Sequence, residues 1–125
     1  MLVVDDEPSI LLLLERVLVR LGYRVTAVGR ATEALEAFRL NPHDFDLVLT
    51  DLNMPGLDGI ALAGEVHRVR PETPIVLMTG IGLDISQVGL AAAHGVRDTL
   101  DKPLQVADLG AAIRRALDGG IAEGS

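Results

Sequence analysis

The chain has no cysteine and no tryptophan. Without thiols it has no disulfide staple, no zinc–thiolate centre and no cysteine nucleophile, which fits a reducing compartment such as the cytoplasm. Aromatic residues make up only 2% of the sequence (Tyr23, Phe38 and Phe45), so Leu, Val, Ile and Ala must fill any core. Basic residues are few, 11 against 18 acidic ones for a net charge of −7. They form no dense patch, so the electrostatic footprint of direct nucleic-acid binding is missing. The longest apolar run in a helical pattern, Ile10–Leu14, is far short of a membrane span, and no signal-peptide pattern precedes it. Membrane insertion of this domain is therefore not expected.

What is present is enough for one domain. A length of 125 residues leaves no room for a second, and 49% hydrophobic residues are enough for a packed core. Acidity can serve to hold a cation, to dock on a basic partner, or simply to keep the chain soluble, and charge alone does not choose among these.

Short apolar runs alternate with helical patterns five times. The runs are Met1–Val4, Tyr23–Val28, Phe45–Thr50, Ile75–Met78 and Val96–Leu100. The helical patterns are Pro8–Leu21, Ala31–Leu40, Leu57–Arg70, Asp84–His94 and Gln105–Leu117. Such alternation predicts a parallel sheet with helices on both faces. Leu2-Val3-Val4, Leu47-Val48-Leu49 and Ile75-Val76-Leu77 are continuously apolar, as central strands must be, whereas the second and fifth runs interleave polar residues and suit the edges. With right-handed crossovers this gives an α/β, flavodoxin-like, doubly wound sheet of five parallel strands in the order 2-1-3-4-5, with five helices. In the first helix Pro8 suits the opening turn and Gly22 the stop. Ile10, Leu11, Leu14, Val17, Leu18 and Leu21 form one face there, leaving Leu12 and Val19 exposed. The domain is expected over 1–118, with a frayed tail over 119–125.

Ligands of an open α/β sheet bind beyond the carboxyl ends of the strands, where the strand order reverses. Asp5-Asp6 follow the first strand, Asp51 the third, Thr79 the fourth and Lys102 the fifth, so all are expected on one rim. Three carboxylates in one pocket need a proton or a cation, and Mg²⁺ is the natural hard, oxygen-seeking candidate. A carboxylate can be a nucleophile, and phosphoryl transfer is catalysed mainly by positioning and cations. Taken singly, each residue has an ordinary structural reading. Asp5-Asp6 could cap a helix, Asp51–Gly56 could form a turn, and Thr79 and Lys102 could be surface residues. The three histidines, His43, His67 and His94, read as surface or packing residues.

The segments Val3–Pro8, Asp51–Gly59, Met78-Thr79-Gly80 and Asp101-Lys102-Pro103 together resemble the signature segments of two-component receiver domains, over Met1 to about Leu117. The resemblance implies phosphorylation of Asp51 and Mg²⁺ held by Asp5, Asp6, Asp51 and the backbone carbonyl of Asn53. It implies that Thr79 and Lys102 bind phosphoryl oxygens and that Pro103 follows a cis peptide bond. The implied partner is a sensor histidine kinase or a histidine phosphotransfer domain, met in part through Leu12 and Val19, although those two also fit scattered surface residues. A homodimer stays open. So does the choice between a regulator complete in itself and the receiver of a longer protein such as a hybrid sensor kinase.

One position departs from the family pattern. Three residues before Lys102, where many receivers carry Tyr or Phe, stands Thr99, which puts the usual transmission through the fourth and fifth strands in doubt. Two other classes compete. An aspartate-nucleophile phosphatase needs a second acid two residues after the nucleophile, and Asn53 stands there. A phosphorylation-independent pseudo-receiver, serving only as a binding module, would lack part of the pocket, and no part is missing. The expectation is a phosphoacceptor signalling domain rather than an enzyme.

Overall fold

The computed structural model describes the backbone of residues 1–124 and side chains through 118; the tail expected over 119–125 lies outside the residues whose side chains are described. The elements follow in the order β1 (Leu2–Val4), α1 (Pro8–Arg20), β2 (Thr26–Val28), α2 (Ala31–Leu40), β3 (Val48–Asp51), α3 (Gly59–Val69), β4 (Ile75–Thr79), α4 (Ile85–Ala93), β5 (Val96–Asp101) and α5 (Val106–Gly124). A 3-10 turn at Pro42–Asp44 precedes β3. The strands form one sheet in the order β2-β1-β3-β4-β5, every pair parallel, as the polarity of the runs predicted.

The two-residue period of the central strands explains their unbroken hydrophobicity. Val3, Leu49, Val76 and Met78 pack with Leu14 and Leu18 of α1 and Leu109, Ala112 and Ile113 of α5 on one face. Leu2, Val4, Val48 and Ile75 point the other way, against Ala34 and Phe38 of α2 and Leu62, Ala63 and Val66 of α3. Each strand thus needs apolar side chains at successive positions. β2 and β5 lie outermost and keep exposed residues such as Thr26, Arg97 and Thr99.

Several boundaries differ from the sequence expectation. β2 begins at Thr26 rather than Tyr23, because the Tyr23 N–H donates back to Leu18 O at 3.0 Å and closes the end of α1. β3 begins at Val48 rather than Phe45, whose ring instead stacks on Phe38 with centroids 6.0 Å apart. α3 begins at Gly59 rather than Leu57, because the Asp58 carboxylate caps it by accepting from Ala61 N. Pro8 does open α1, and Gly22 does stop it, with φ of +96° in the left-handed region. Leu12 and Val19 are exposed as expected. Leu21 is not on the buried face: it is 48% exposed, lies at the C-cap and reaches toward Gly110 of α5. Helical periodicity stops counting where the helix stops, and the cap residue turns away.

Candidate functional site

The parallel ladder brings the carboxyl ends of β1, β3, β4 and β5 to one rim. Val4 is in register with Thr50, Asp51 with Met78, and Thr79 with Asp101. Asp51 and Thr79 are therefore the last residues of their strands, held by the ladder itself, and Asp5 follows Val4 directly. The Asp51 carbonyl accepts a hydrogen bond at 3.0 Å from the buried Thr50 hydroxyl, and the next amide, Leu52 N–H, donates to Met78 O at 2.8 Å.

Among the described residues, Asp5, Asp6 and Asp51 can each offer a carboxylate oxygen so that all three lie within 4.8 Å of one another. Asp5 and Asp51 are buried and Asp6 is exposed, so the cluster opens to solvent on one side. The Lys102 ammonium bridges the buried pair, 3.0 Å from Asp5 Oδ2 and 3.2 Å from Asp51 Oδ1. The other oxygen of Asp5 accepts from Glu7 N–H at 2.9 Å. Asp5 therefore braces the turn before α1 and belongs to the acidic cluster, but it does not cap the helix, whose N-cap is Glu7 without a side-chain cap bond.

The electrostatics follow from this crowding. Burial pushes the Asp51 carboxyl above the usual carboxylate range, and the charges of Asp5 and Asp6 push the same way, against the attraction of Lys102. For Lys102 burial acts to lower the ammonium. The hydrogen bond and charge of Asp5 and the charge of Asp51 outweigh it, and the group is held above its ordinary value. One ammonium among three carboxylates leaves an excess of negative charge that favours a further cation.

The donor set fits Mg²⁺. All the candidate ligands are hard oxygens, the donor type Mg²⁺ takes, and three carboxylates are gathered where one ion could be shared. Asn53 lies two residues beyond Asp51 in the exposed loop before α3. Thr79 is on the rim, but its hydroxyl is engaged within its own loop, donating to Gly82 O at 3.2 Å and accepting from Ile81 N–H at 3.3 Å. The Lys102–Pro103 peptide bond is cis, as the resemblance implied. Thr99 lies exposed on β5, its amide bonded to Asp98 Oδ1 at 2.9 Å. Of the histidines, His94 packs between helices, with Nδ1 3.1 Å from Ile60 O at the start of α3.

Sequence reading missed two residues that shape the site. Thr50 passes for an ordinary strand residue, and only its burial beside Asp51 shows that it holds that carbonyl. Gly59 closes the Asp51–Gly59 signature segment, but its sequence position gives it no role beside Asp51 and otherwise marks only a poor helix former at the first position of a helix.

Known proteins resemble this chain in sequence and fold. The response regulator receiver domain family matches residues 1–114. A two-component response regulator of Arabidopsis thaliana is 39% identical over 108 residues, covering 86% of this chain and 28% of the relative. A second from the same plant is 40% identical over 106 residues, covering 84% of this chain and 16% of the relative. The chain thus spans less than a third of the length of these relatives. A receiver domain protein from Clostridium thermocellum superposes with a TM-score of 0.87 at 33% identity, over 97% of this chain and 95% of that one. A CheY-like receiver from Methanospirillum hungatei gives 0.86 at 30% identity, over 98% and 95%. Fold and sequence agree: the chain belongs to the response regulator receiver domain family of two-component signalling.

Proposed function

We propose that this receiver accepts a phosphoryl group on Asp51 in a Mg²⁺-dependent reaction. The observation that carries the reading is the convergence of three carboxylates within 4.8 Å beside an ammonium 3.2 Å from Asp51 Oδ1. An oxygen of Asp51 attacks phosphorus while the phosphorus–nitrogen bond of a phosphohistidine breaks, its electron pair staying on the imidazole. The donor is a sensor histidine kinase or a histidine phosphotransfer domain. Asp5, Asp6, Asp51 and the Asn53 carbonyl would hold Mg²⁺, which when bound neutralises charge on the carboxylates and on the phosphoryl oxygens. Lys102 faces Asp51 from β5 and receives a second phosphoryl oxygen as a point charge. The Thr79 hydroxyl receives a third once it leaves Gly82 O.

Burial raises the Asp51 carboxyl and the Lys102 charge opposes that shift; a divalent ion would act in the same direction as Lys102, favouring the ionised, nucleophilic form. Asn53 leaves no acid/base two residues from the nucleophile, which disfavours turnover of external phosphoesters and suits a signalling role. The test is labelling by acetyl phosphate, with acetate as the leaving group. One label per chain is expected with Mg²⁺, and none in Asp51→Ala or with chelator. Label retained in Asp51→Ala would end the assignment. No label in the wild type, together with a melting temperature indifferent to Mg²⁺, would return the chain to a pseudo-receiver that only binds partners.

A further inference from the structure

Gly59, at the start of α3, stands closer to the Asp51 peptide than any residue with a side chain could. A Cβ built there would lie 2.3 Å from the Asp51 carbonyl oxygen, 3.0 Å from its carbonyl carbon and 2.7 Å from Leu77 Cδ1. The first two are backbone atoms of a strand end and cannot swing away. Conformational freedom is not what the position needs, since the glycines in the left-handed region are Gly22, Gly56, Gly82 and Gly95. Glycine is disfavoured against alanine within a helix, so its use here points to the close approach.

The surroundings tie this turn to the nucleophile. Gly59 N–H donates to Leu52 O at 2.8 Å, Leu52 N–H donates to Met78 O at 2.8 Å, and Asp58 caps α3 at Ala61 N, 2.8 Å away. The residue after Asp51 is thus bonded both to the adjacent strand and to the helix start. We infer that Gly59 is a positioning residue for Asp51: lacking a Cβ, it seats the first turn of α3 on the Asp51 peptide. The depth of the Asp51 carboxylate beside Lys102 and Asp5 is set there. Any larger residue displaces either the helix or the strand end, and the carboxylate moves with it. Gly64, on the same helix, supplies the contrast. A Cβ there would meet the His94 ring at 2.7 Å, a side chain that can rotate aside, on a part of α3 away from Asp51.

The labelling arm of the test rests on the phosphoacceptor reading; the Mg²⁺ arm rests on the carboxylates alone. Mg²⁺ affinity by titration calorimetry, acetyl phosphate labelling and melting temperature are measured for wild type, Gly59→Ala and Gly64→Ala. Gly59→Ala is expected to bind Mg²⁺ at least tenfold more weakly and to label at least tenfold more slowly. Gly64→Ala should stay within twofold of wild type in both, even where its melting temperature falls as far. A loss of stability alone would move the two variants together, so equal Mg²⁺ affinities would overturn the inference. If Gly59→Ala does not fold, Gly59→Ala/Leu77→Val, which removes the side-chain part of the crowding, takes its place. Failure of both to fold would overturn positioning in favour of a purely structural role. Wild-type protein that binds Mg²⁺ but takes no label would sink the phosphoacceptor reading and leave the Mg²⁺ arm to decide on Gly59.

Discussion

At the scale of single residues, the chemistry depends on charges that folding forces together. The folded Asp51 carboxyl is raised above its unfolded value, chiefly by burial and then by Asp5. The sign follows: the folded state holds the proton more tightly, so this group's contribution to stability is present below the unfolded value near pH 4. It is lost as the pH rises through the folded one. In Mg²⁺-free protein Asp51→Asn is therefore expected to be more stable than wild type at neutral pH. The gain should shrink in acid and when Mg²⁺ is added. Thermal melts at pH 4 and pH 7 check this, and an Asn variant less stable at pH 7 would refute it. Lys102 is the converse case. Its removal leaves Asp5, which is fully buried, without its counter-ion. Lys102→Ala should lose about 2 kcal/mol, with part of the loss restored by Mg²⁺. Urea titrations with and without the ion measure both, and an unchanged midpoint would show that the ammonium contributes nothing net.

At the scale of elements, the helices differ in how firmly they are held. α1 buries Leu14 and Leu18 at 1% and 0% exposure and leaves Val19 at 55%. Leu18→Ala should cost about 3 kcal/mol and Val19→Lys within about 0.5, a contrast that fails if that face of α1 is not the one packed on the sheet. α4 buries only Ala91 and is pinned by a capping box in which Asp84 accepts from Gln87 N–H at 2.8 Å and Gln87 Oε1 accepts from Asp84 N–H at 3.0 Å. Hydrogen bonds from Ser86 and then from the Gln87 amide hold the Asp84 carboxyl below its ordinary value. The cap therefore works above the unfolded value and is lost as the pH falls through the lowered folded one. Asp84→Ala should speed hydrogen exchange in α4 roughly fivefold at neutral pH, with the other helices unchanged. Equal rates in α4 would mean that its contacts with α3 and β5 hold it without the cap.

At the scale of the whole molecule, a net charge of −7 and a concentrated acidic rim are expected to make the fold responsive to divalent cations. Binding to the folded state alone stabilises it by mass action. Mg²⁺ at ten times its dissociation constant should add about 1.4 kcal/mol, visible as a rise in melting temperature that saturates with concentration. Ca²⁺ or sodium at matched ionic strength separates specific binding from screening, and an identical rise with sodium would make the effect screening alone. Among the described residues no helix is long and apolar enough to cross a membrane.

The sequence alone determined the class of fold, because burial on both faces demands unbroken apolar strands in the middle of a parallel sheet and tolerates polar ones at its edges. That same logic put Asp5, Asp6, Asp51, Thr79 and Lys102 on one rim, since every parallel strand ends on the same side. Tertiary structure alone decided the rest. It turned Leu21 off its expected face, where the helix ended and periodicity no longer applied. It shared one ammonium between Asp5 and Asp51, bonded the Thr79 hydroxyl to its own loop, and seated Gly59 against the Asp51 carbonyl. The Lys102–Asp5 contact spans 97 positions of the chain, and the shorter-range contacts depend on how loop, helix and strand pack. A local pattern records which residue types fit a position, but the gap left for a missing Cβ exists only once helix and strand have packed.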